Sequence, residues 1–525
     1  MKRIAPGAAA FVAAILVALL GLAASADPPP DPPPAEPRGV VTLRLLGVND
    51  LHGHLEPPRP GLGGAAWLAA HLDRASLPGR TIRVHAGDVV GATPLISSWF
   101  HDEPTIAAAN LMRFDVGTVG NHEFDEGGEE LLRLLRGGRR EGPAALKRDA
   151  DGELVNTSSA DFAGARFPYI AANTFDRDGL ALLPPTRVVE RAGARVGFIG
   201  VTTPSTPDFL LPRYASPFRF TDISHAVDEQ VTNLRRRGVE AIVVLAHAGA
   251  PAAEGDGSNA VGEIVEEARE MSDAVDVVIA GHSHSLLNLR VPNASGRGDK
   301  LVVEAASYGM AYDLVDVAVD RATGEVVSKS AAIPPVTHDR GAPHAEVESL
   351  VDRFAARVAP VGDRVVGDTD RPLTRAGGEL GRLAADAQRA LARSQLALVN
   401  PGSLRADVDA GPIAYGELFE AQAYDHRVLR MELTGREVRA LLERSTLYRS
   451  GVPGGGPLDP GATYTVAVNE LLATRPGFPA GRGATPVGTE VEALAAQVAR
   501  FTAAQRARHK RVTGADRRSP KLEAR

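Results

Sequence analysis

Residues 120–127 read GNHEFDEG and set Asn121, His122 and Asp125 in one turn, directly after an apolar run that ends at Val119. An amide oxygen that can bind a metal, an imidazole that can move a proton and a carboxylate that can orient the imidazole thus lie within five residues. Four other stretches share this grammar, an apolar run closing on residues able to ligate metal: LRLLGVNDLHGH (43–54), TIRVHAGDVVG (81–91), AIVVLAHAG (241–249) and VDVVIAGHSH (275–284). Together the five supply Asp50, His52, Asp88, Asn121, His247, His282 and His284. That is enough oxygen and nitrogen for two divalent ions sharing one carboxylate.

Two such ions, about 3.5–4 Å apart, need one bridging ligand and two or three private ones each. Asp88, in a tight AGD turn, is the natural bridge, with one carboxylate oxygen for each ion. Asp50 and His52, spaced i, i+2 at a strand end, point the same way and clamp one ion; His282 and His284 repeat that spacing. Mixed oxygen and nitrogen ligation suits Zn, Mn, Fe or Co better than Mg or Ca. A water held between two such ions loses much of its pKa and becomes a nucleophile, and the neighbouring His122 imidazole can move a proton. Asp125 also sits where a helix over 126–136 would take its N-cap, and it can serve both ends. Glu123, His54 and His85 lie beside the ligands without a clear role and read as structural.

The elements that must position these residues alternate. From residue 40, strand-like apolar runs exchange with helical periods over 63–75, 103–113, 126–136, 222–237 and 260–271, the pattern of an α/β sandwich. Further strands fall at 194–201 and 314–320. Each ligand group stands at the carboxyl end of a strand, where open α/β sheets form their crevices. Residues 321–343 lose the rhythm, and a helix over 345–358 reads as a connector. A second domain follows, with helices at 377–393, 436–445 and 490–501, strands at 395–400, 427–433 and 463–469, and a loop at 452–461. The expected domain limits are 40–335 for the catalytic domain, 336–360 for the connector and 361–503 for the second domain.

The 525-residue chain has length for two such cores. A net charge of −7 gives no basic nucleic-acid face at the whole-chain level. There is no cysteine, which excludes disulfides, thiolate metal sites and cysteine nucleophiles. Residues 1–26 have the basic start, apolar middle and Ala24-Ser25-Ala26 end of a secretory signal peptide. DPPPDPPPAEPRG (27–39) is a stiff linker, and the tail over 504–525 is basic and reads as solvated and disordered. The mature protein is thus expected to be secreted without a membrane anchor.

The order D-x-H, G-D, G-N-H-E, apolar-H and G-H-x-H resembles the calcineurin-like metallophosphoesterases. The longer forms NDLHGHLEP, AGDVVGATP and GNHEFDEG look like the secreted 5′-nucleotidase branch. The resemblance implies an N-terminal four-layer α/β/β/α sandwich and a smaller C-terminal α/β substrate domain. It implies one ion on Asp50, His52, Asp88 and His284, another on Asp88, Asn121, His247 and His282, and a catalytic dyad of His122 and Asp125. NPGSLR (400–405) stands where that family has N-x-G-G-I-R, which implies that Asn400 and Arg405 meet the substrate; Arg375 is the match for a further arginine. Tyr424 and Phe478 occupy the places of two aromatics that sandwich the base. The pattern departs at AYDH (423–426), where the family has PFGN, and at RPG (475–477), where it has GGDG.

The expected function is removal of phosphate from extracellular nucleotides. The alternatives within the same chemistry are a 2′,3′-cyclic-nucleotide phosphodiesterase/3′-nucleotidase and a UDP-sugar hydrolase. A non-catalytic nucleotide-binding protein is the rival from another class, and such a binder has no need of a proton donor like His122.

Overall fold

The computed structural model describes residues 37–252, 259–444, 446–451 and 458–515. The signal-like segment, most of the proline-rich linker and residues 516–525 lie outside the described residues, as does 452–457 of the predicted loop. The chain divides into two compact units, Met1–Val358 and Ala359–Arg525.

Two six-stranded sheets build the first unit. One runs in the order Val326–Ala332, Asp313–Asp320, Val40–Val48, Thr81–His85, Val116–Thr118, Tyr169–Ile170. The other runs Leu286–Pro292, Asp299–Ala305, Val277–Ala280, Ala241–His247, Ala194–Thr202, Thr186–Arg191. The strands carrying the motifs are parallel to their neighbours in the centre of each sheet, so their carboxyl ends share an edge. Period-two alternation explains why these runs are apolar throughout. Val41, Leu43 and Leu45 meet Phe198, Val243 and Leu245 between the sheets. The intervening Ile242, Val244 and Ala246 face outward onto Val227, Val231 and Leu234 of helix Ile223–Arg236 and Ile264 of helix Glu263–Glu270. On the opposite face, the outward Arg44 and Arg83 donate to the carbonyls of Ala75 (3.0 Å) and Met112 (2.7 Å), at the last turns of helices Ala65–Ala75 and Glu103–Met112. Helix, sheet, sheet and helix make the four layers expected.

The second unit is smaller. A five-stranded sheet in the order Tyr448–Ser450, Leu396–Val399, Thr463–Asn469, Arg427–Thr434, Arg482–Thr489 carries helices Glu379–Ala392 and Glu490–Ala515 over one core. Helix Gly435–Arg444 covers the other face through Val438 and Leu441, which pack on Met431, Leu433 and Val466.

Three local expectations are corrected. Residues 321–343 contain a strand, Val326–Ala332, paired antiparallel to Asp313–Asp320; as an edge strand it is half solvated, so its polar residues hide the pattern. The connector helix extends to Gly362 with Pro360 in its last turn. The basic tail is not irregular from its start, because the final helix continues to Ala515.

Candidate metal centre and active site

Five loops from the shared edge bring the seven ligand candidates of the sequence together. His52 Nε2 lies 3.8 Å from Asp50 Oδ1, 3.6 Å from Asp88 Oδ2 and 3.3 Å from His284 Nε2, and His284 Nε2 is 3.3 Å from Asp50 Oδ1. His247 Nε2 lies 3.0 Å from Asp88 Oδ2 and 3.2 Å from Asn121 Oδ1. Donor atoms of Asp50, His52 and His284 cluster within 4.8 Å of one another, and so do those of Asp88, His247 and His282. The two histidines of GHSH therefore belong to different clusters, although their spacing repeats that of Asp50 and His52, which share one.

The spacing works through an unusual backbone, not through an extended strand. Asp50, His52, Asp88, His282 and His284 have φ of 48°, 45°, 50°, 76° and 56°, the left-handed region that costs an ordinary residue about 1–2 kcal/mol. Cross-loop hydrogen bonds hold them there: Asp50 N to Gly87 O (3.1 Å), His52 N to Asp88 O (3.0 Å) and Gly53 N to Val89 O (3.0 Å). Two glycines permit the approach. A Cβ on Gly120 would stand 2.2 Å from Asp88 Oδ1, and one on Gly87 would stand 2.6 Å from Gly120 N.

The donor set fits divalent metal binding. His52 Nδ1 and His247 Nδ1 each donate to a backbone carbonyl, of Gly91 and Ala86, at 2.8 Å, which turns both Nε2 lone pairs toward the cluster. Asp50 Oδ1 is buried with no hydrogen bond and with the His284 imidazole facing it at 3.3 Å, a place where a bound cation would offset the cost of burying the carboxylate. The two Asp88 oxygens are engaged differently. Asp88 Oδ1 accepts from His122 N at 2.9 Å, and only Oδ2 faces both His52 and His247.

Without an ion, the charges are displaced together. Burial opposes protonation of His247, but the Asp88 carboxylate prevails and lifts its pKa to about 10. Burial would raise Asp50 and Asp88; neighbouring His284 and His247, respectively, instead hold them below the usual carboxylate range. Burial, helped by His247, lowers His282 to about 4.

Beside the ligands, His122 Nδ1 is 2.8 Å from Asp125 Oδ2 and its Nε2 is 4.0 Å from Asp88 Oδ2. Asp125 does not cap the following helix, which is Gly128–Arg136 with Gly127 at its N-cap and no side-chain cap. Glu123 and His54, which the sequence left without a role, and Asn49, which it did not single out, hold the loops. Glu123 accepts from the backbone N–H of Asp88 (2.9 Å), Val89 (2.8 Å) and Gly120 (2.5 Å), tying two ligand loops together; burial, then Asp88, raises its pKa to about 7. Asn49 Nδ2 donates to Asp50 Oδ2 at 2.8 Å and to Ala306 O at 2.6 Å. His54 stacks on Tyr308 with centroids 4.0 Å apart, and the Tyr308 ring lies 5.4 Å from that of His284. Tyr308 stands outside every motif, and nothing local signals it. His85 packs among Phe114, Phe167 and Tyr169, as a core residue.

In the C-terminal unit Arg375, Arg405 and Tyr424 adjoin one another, while Asn400 and Phe478 have other partners. Arg405 and Tyr424 meet, guanidinium carbon to ring centroid 5.6 Å. Arg375 donates to Asp407 Oδ1 (3.0 Å) and to the Arg405 carbonyl (2.6 Å). Asn400 Oδ1 accepts from Asn469 Nδ2 at 2.9 Å. Phe478 is half-buried against the core around Met431 and Leu472.

Comparison with known proteins agrees with this architecture. The family model for calcineurin-like phosphoesterase matches residues 43–286, and that for the 5′-nucleotidase C-terminal domain matches residues 360–453. Endonuclease YhcR of Bacillus subtilis is 31% identical over 484 residues, 84% of this chain and 38% of that protein. A cell wall protein of Listeria monocytogenes is 29% identical over 457 residues, 78% of this chain and 56% of that protein. This chain therefore spans about half or less of these relatives' length. The crystal structure of a 5′-nucleotidase precursor from Thermus thermophilus superposes with TM-score 0.72 and 26% identity, covering 88% of this chain and 97% of that one. Both halves point one way: the chain belongs to the 5′-nucleotidase family of calcineurin-like, metal-dependent phosphoesterases.

Proposed function

We propose that the chain is a secreted two-metal phosphohydrolase that removes phosphate from extracellular nucleotides. The observation that carries the reading is Asp88 Oδ2, set between the His52 and His247 imidazoles with the buried Asp50 oxygen nearby. Asp50, His52, Asp88 and His284 would hold one ion, and Asp88, Asn121, His247 and His282 the other. Zn, Mn, Fe or Co suits these donors. When bound, such ions neutralise phosphoryl oxygens and acidify the attacking water.

The chain's own part is positional and protonic. His122, held by Asp125, places Nε2 beside the ligand cluster, where an imidazolium would stabilise phosphoryl charge and give its proton to the leaving oxygen. Glu123 and Asn49 keep the ligand loops in register. In the C-terminal unit, Arg405 offers a fork for a phosphate or ribose oxygen, Asn400 and Arg375 flank it, and Tyr424 and Phe478 offer rings for the base. Export is supported by the signal-like residues 1–26 and by relatives named as a cell wall protein and a precursor.

The test is phosphate release from AMP, 3′-AMP, 2′,3′-cyclic AMP and UDP-glucose by the metal-loaded protein. AMP should be the preferred substrate. Preference for the cyclic or sugar ester would overturn the 5′-nucleotidase assignment, and AMP binding without turnover would overturn the enzyme reading.

A further inference from the structure

A buried polar hub lies beneath the recognition candidates of the C-terminal unit. Glu490, the first residue of the last helix, is 0% exposed. Its Oε1 accepts from Asn469 Nδ2 (2.9 Å), Gln388 Nε2 (3.1 Å) and Gln422 Nε2 (3.3 Å); its Oε2 makes no hydrogen bond and faces His426 Nδ1 at 3.7 Å, an ion-pair distance.

Two branches leave this carboxylate. Along one, Asn469 Nδ2 also donates to Asn400 Oδ1 at 2.9 Å, while Asn469 Oδ1 accepts from Leu472 N at 2.7 Å. With both ends engaged, the Asn469 amide cannot turn over, and it sets the direction of the Asn400 side chain. Along the other, the His426 ring lies nearly parallel to that of Tyr424, centroids 5.2 Å apart and planes 7° apart. Tyr424 in turn faces the Arg405 guanidinium.

The backbone fastens the same segment to the helix. Glu490 N donates to His426 O at 3.0 Å, and Val491 N donates to Asp425 Oδ1 at 3.0 Å. Asp425 has φ 44°, a left-handed conformation that glycine adopts without strain. The AYDH segment thus has aspartate where PFGN has glycine, and its carboxylate sits at the helix N-terminus, where negative charge is favoured. Packing alone does not call for such a hub. An apolar cluster of similar volume would hold the fold with less desolvation cost, whereas a carboxylate bonded by three amides fixes the direction of the side chains that donate to it and sets a negative charge opposite the His426 ring.

We propose that Glu490 is the positioning residue of the recognition face, indexing Asn400 through Asn469 and Tyr424 through His426. This rests on the reading that Asn400, Arg405 and Tyr424 meet the nucleotide. The role makes Glu490 a specificity determinant for the nucleoside part of the substrate, acting through two residues without touching the ligand.

The experiment uses the full metal-loaded chain and measures KM for AMP and for p-nitrophenyl phosphate, which has no nucleoside, together with Tm. Glu490→Gln should raise the ratio of the AMP KM to the p-nitrophenyl phosphate KM roughly tenfold, the scale of one charged hydrogen bond misdirected. His426→Ala and Asn469→Ala should each raise it in part, and adding His426→Ala to Glu490→Gln should raise it no further. A lowered Tm with an unchanged ratio would reduce Glu490 to a structural residue and overturn the proposal. If Glu490→Gln does not fold, the two branch variants decide, and an unchanged ratio in both overturns it equally. Tyr424→Ala separates the premises: if it too leaves the ratio unchanged, the recognition face itself is misplaced. If Tyr424→Ala raises the ratio and Glu490→Gln does not, only the positioning role falls.

Discussion

Replacing His122 by alanine separates two roles that the geometry leaves side by side. Its Nδ1 is tied to Asp125 at 2.8 Å, which leaves Nε2 as the working nitrogen, 4.0 Å from Asp88 Oδ2. Yet donor atoms of His52, Asp88 and His122 also group within 4.8 Å, so a third ligand cluster is geometrically open. As a general acid, His122 should supply about two to four orders of magnitude in kcat on AMP, or about 3–5 kcal/mol of barrier. The metal content should stay at the wild-type level, since His122 belongs to neither proposed ligand set. On p-nitrophenyl phosphate, whose leaving group is acidic and needs little protonation, the loss should be smaller. Asp125→Asn keeps the shape of the contact and should cost less than His122→Ala. The assay is kcat on both substrates alongside elemental analysis of each variant. An equal loss on the two substrates refutes the proton-donor role, and loss of one metal equivalent makes His122 a ligand.

Exhaustive chelation should abolish hydrolysis and Mn should restore it, with Asp88→Asn the most damaging ligand change because Oδ2 faces both histidine sets; full activity after verified metal removal sinks the two-metal reading. In the metal-free protein His247 holds its proton up to about pH 10, so an incoming ion must displace it. Metal affinity should then rise with pH, by about a decade per unit where one proton is released, and calorimetry in buffers of different ionisation enthalpy should count that proton. Gly120→Ala places a Cβ 2.2 Å from Asp88 Oδ1 and should abolish metal binding; normal metal content in a folded Gly120→Ala protein would contradict the loop geometry. Losing Tyr424 should raise the AMP KM by roughly five- to hundredfold, the range that follows from about 1–3 kcal/mol per stacked base. Phe478→Ala should do the same and also lower Tm, because that ring packs on the Met431 core; an unchanged AMP KM with a lowered Tm leaves it a core residue only.

The candidate ligands were legible from sequence because each candidate group closes an apolar run. A buried parallel strand must be apolar on both faces, and polar residues with no packing role then stand out at its end, as in AIVVLAH and VDVVIAGHSH. The same local rule made the helices over 63–75 and 222–237 readable, the latter from Val227, Val231 and Leu234, all buried. Glu123 was visible yet mute, since its partners, the N–H groups of Asp88 and Val89, lie more than thirty residues away.

The resemblance implied the partition of the candidate ligands, but only the tertiary structure supplies the geometry that groups them. That His282 and His284 part company, that Asp88 presents a single oxygen, and that five ligands stand in left-handed backbone all follow from bonds between loops distant in sequence. Tyr308 beside His284 depends on the same cross-strand meeting. In the C-terminal unit, AYDH read from sequence as a departure from a family pattern, and only the helix beginning at Glu490 explains why it holds. Residue types and periodicity are local properties of a chain, whereas the direction of a donor atom is set by whatever packs behind it, and here that support comes from strands and helices tens to hundreds of residues away.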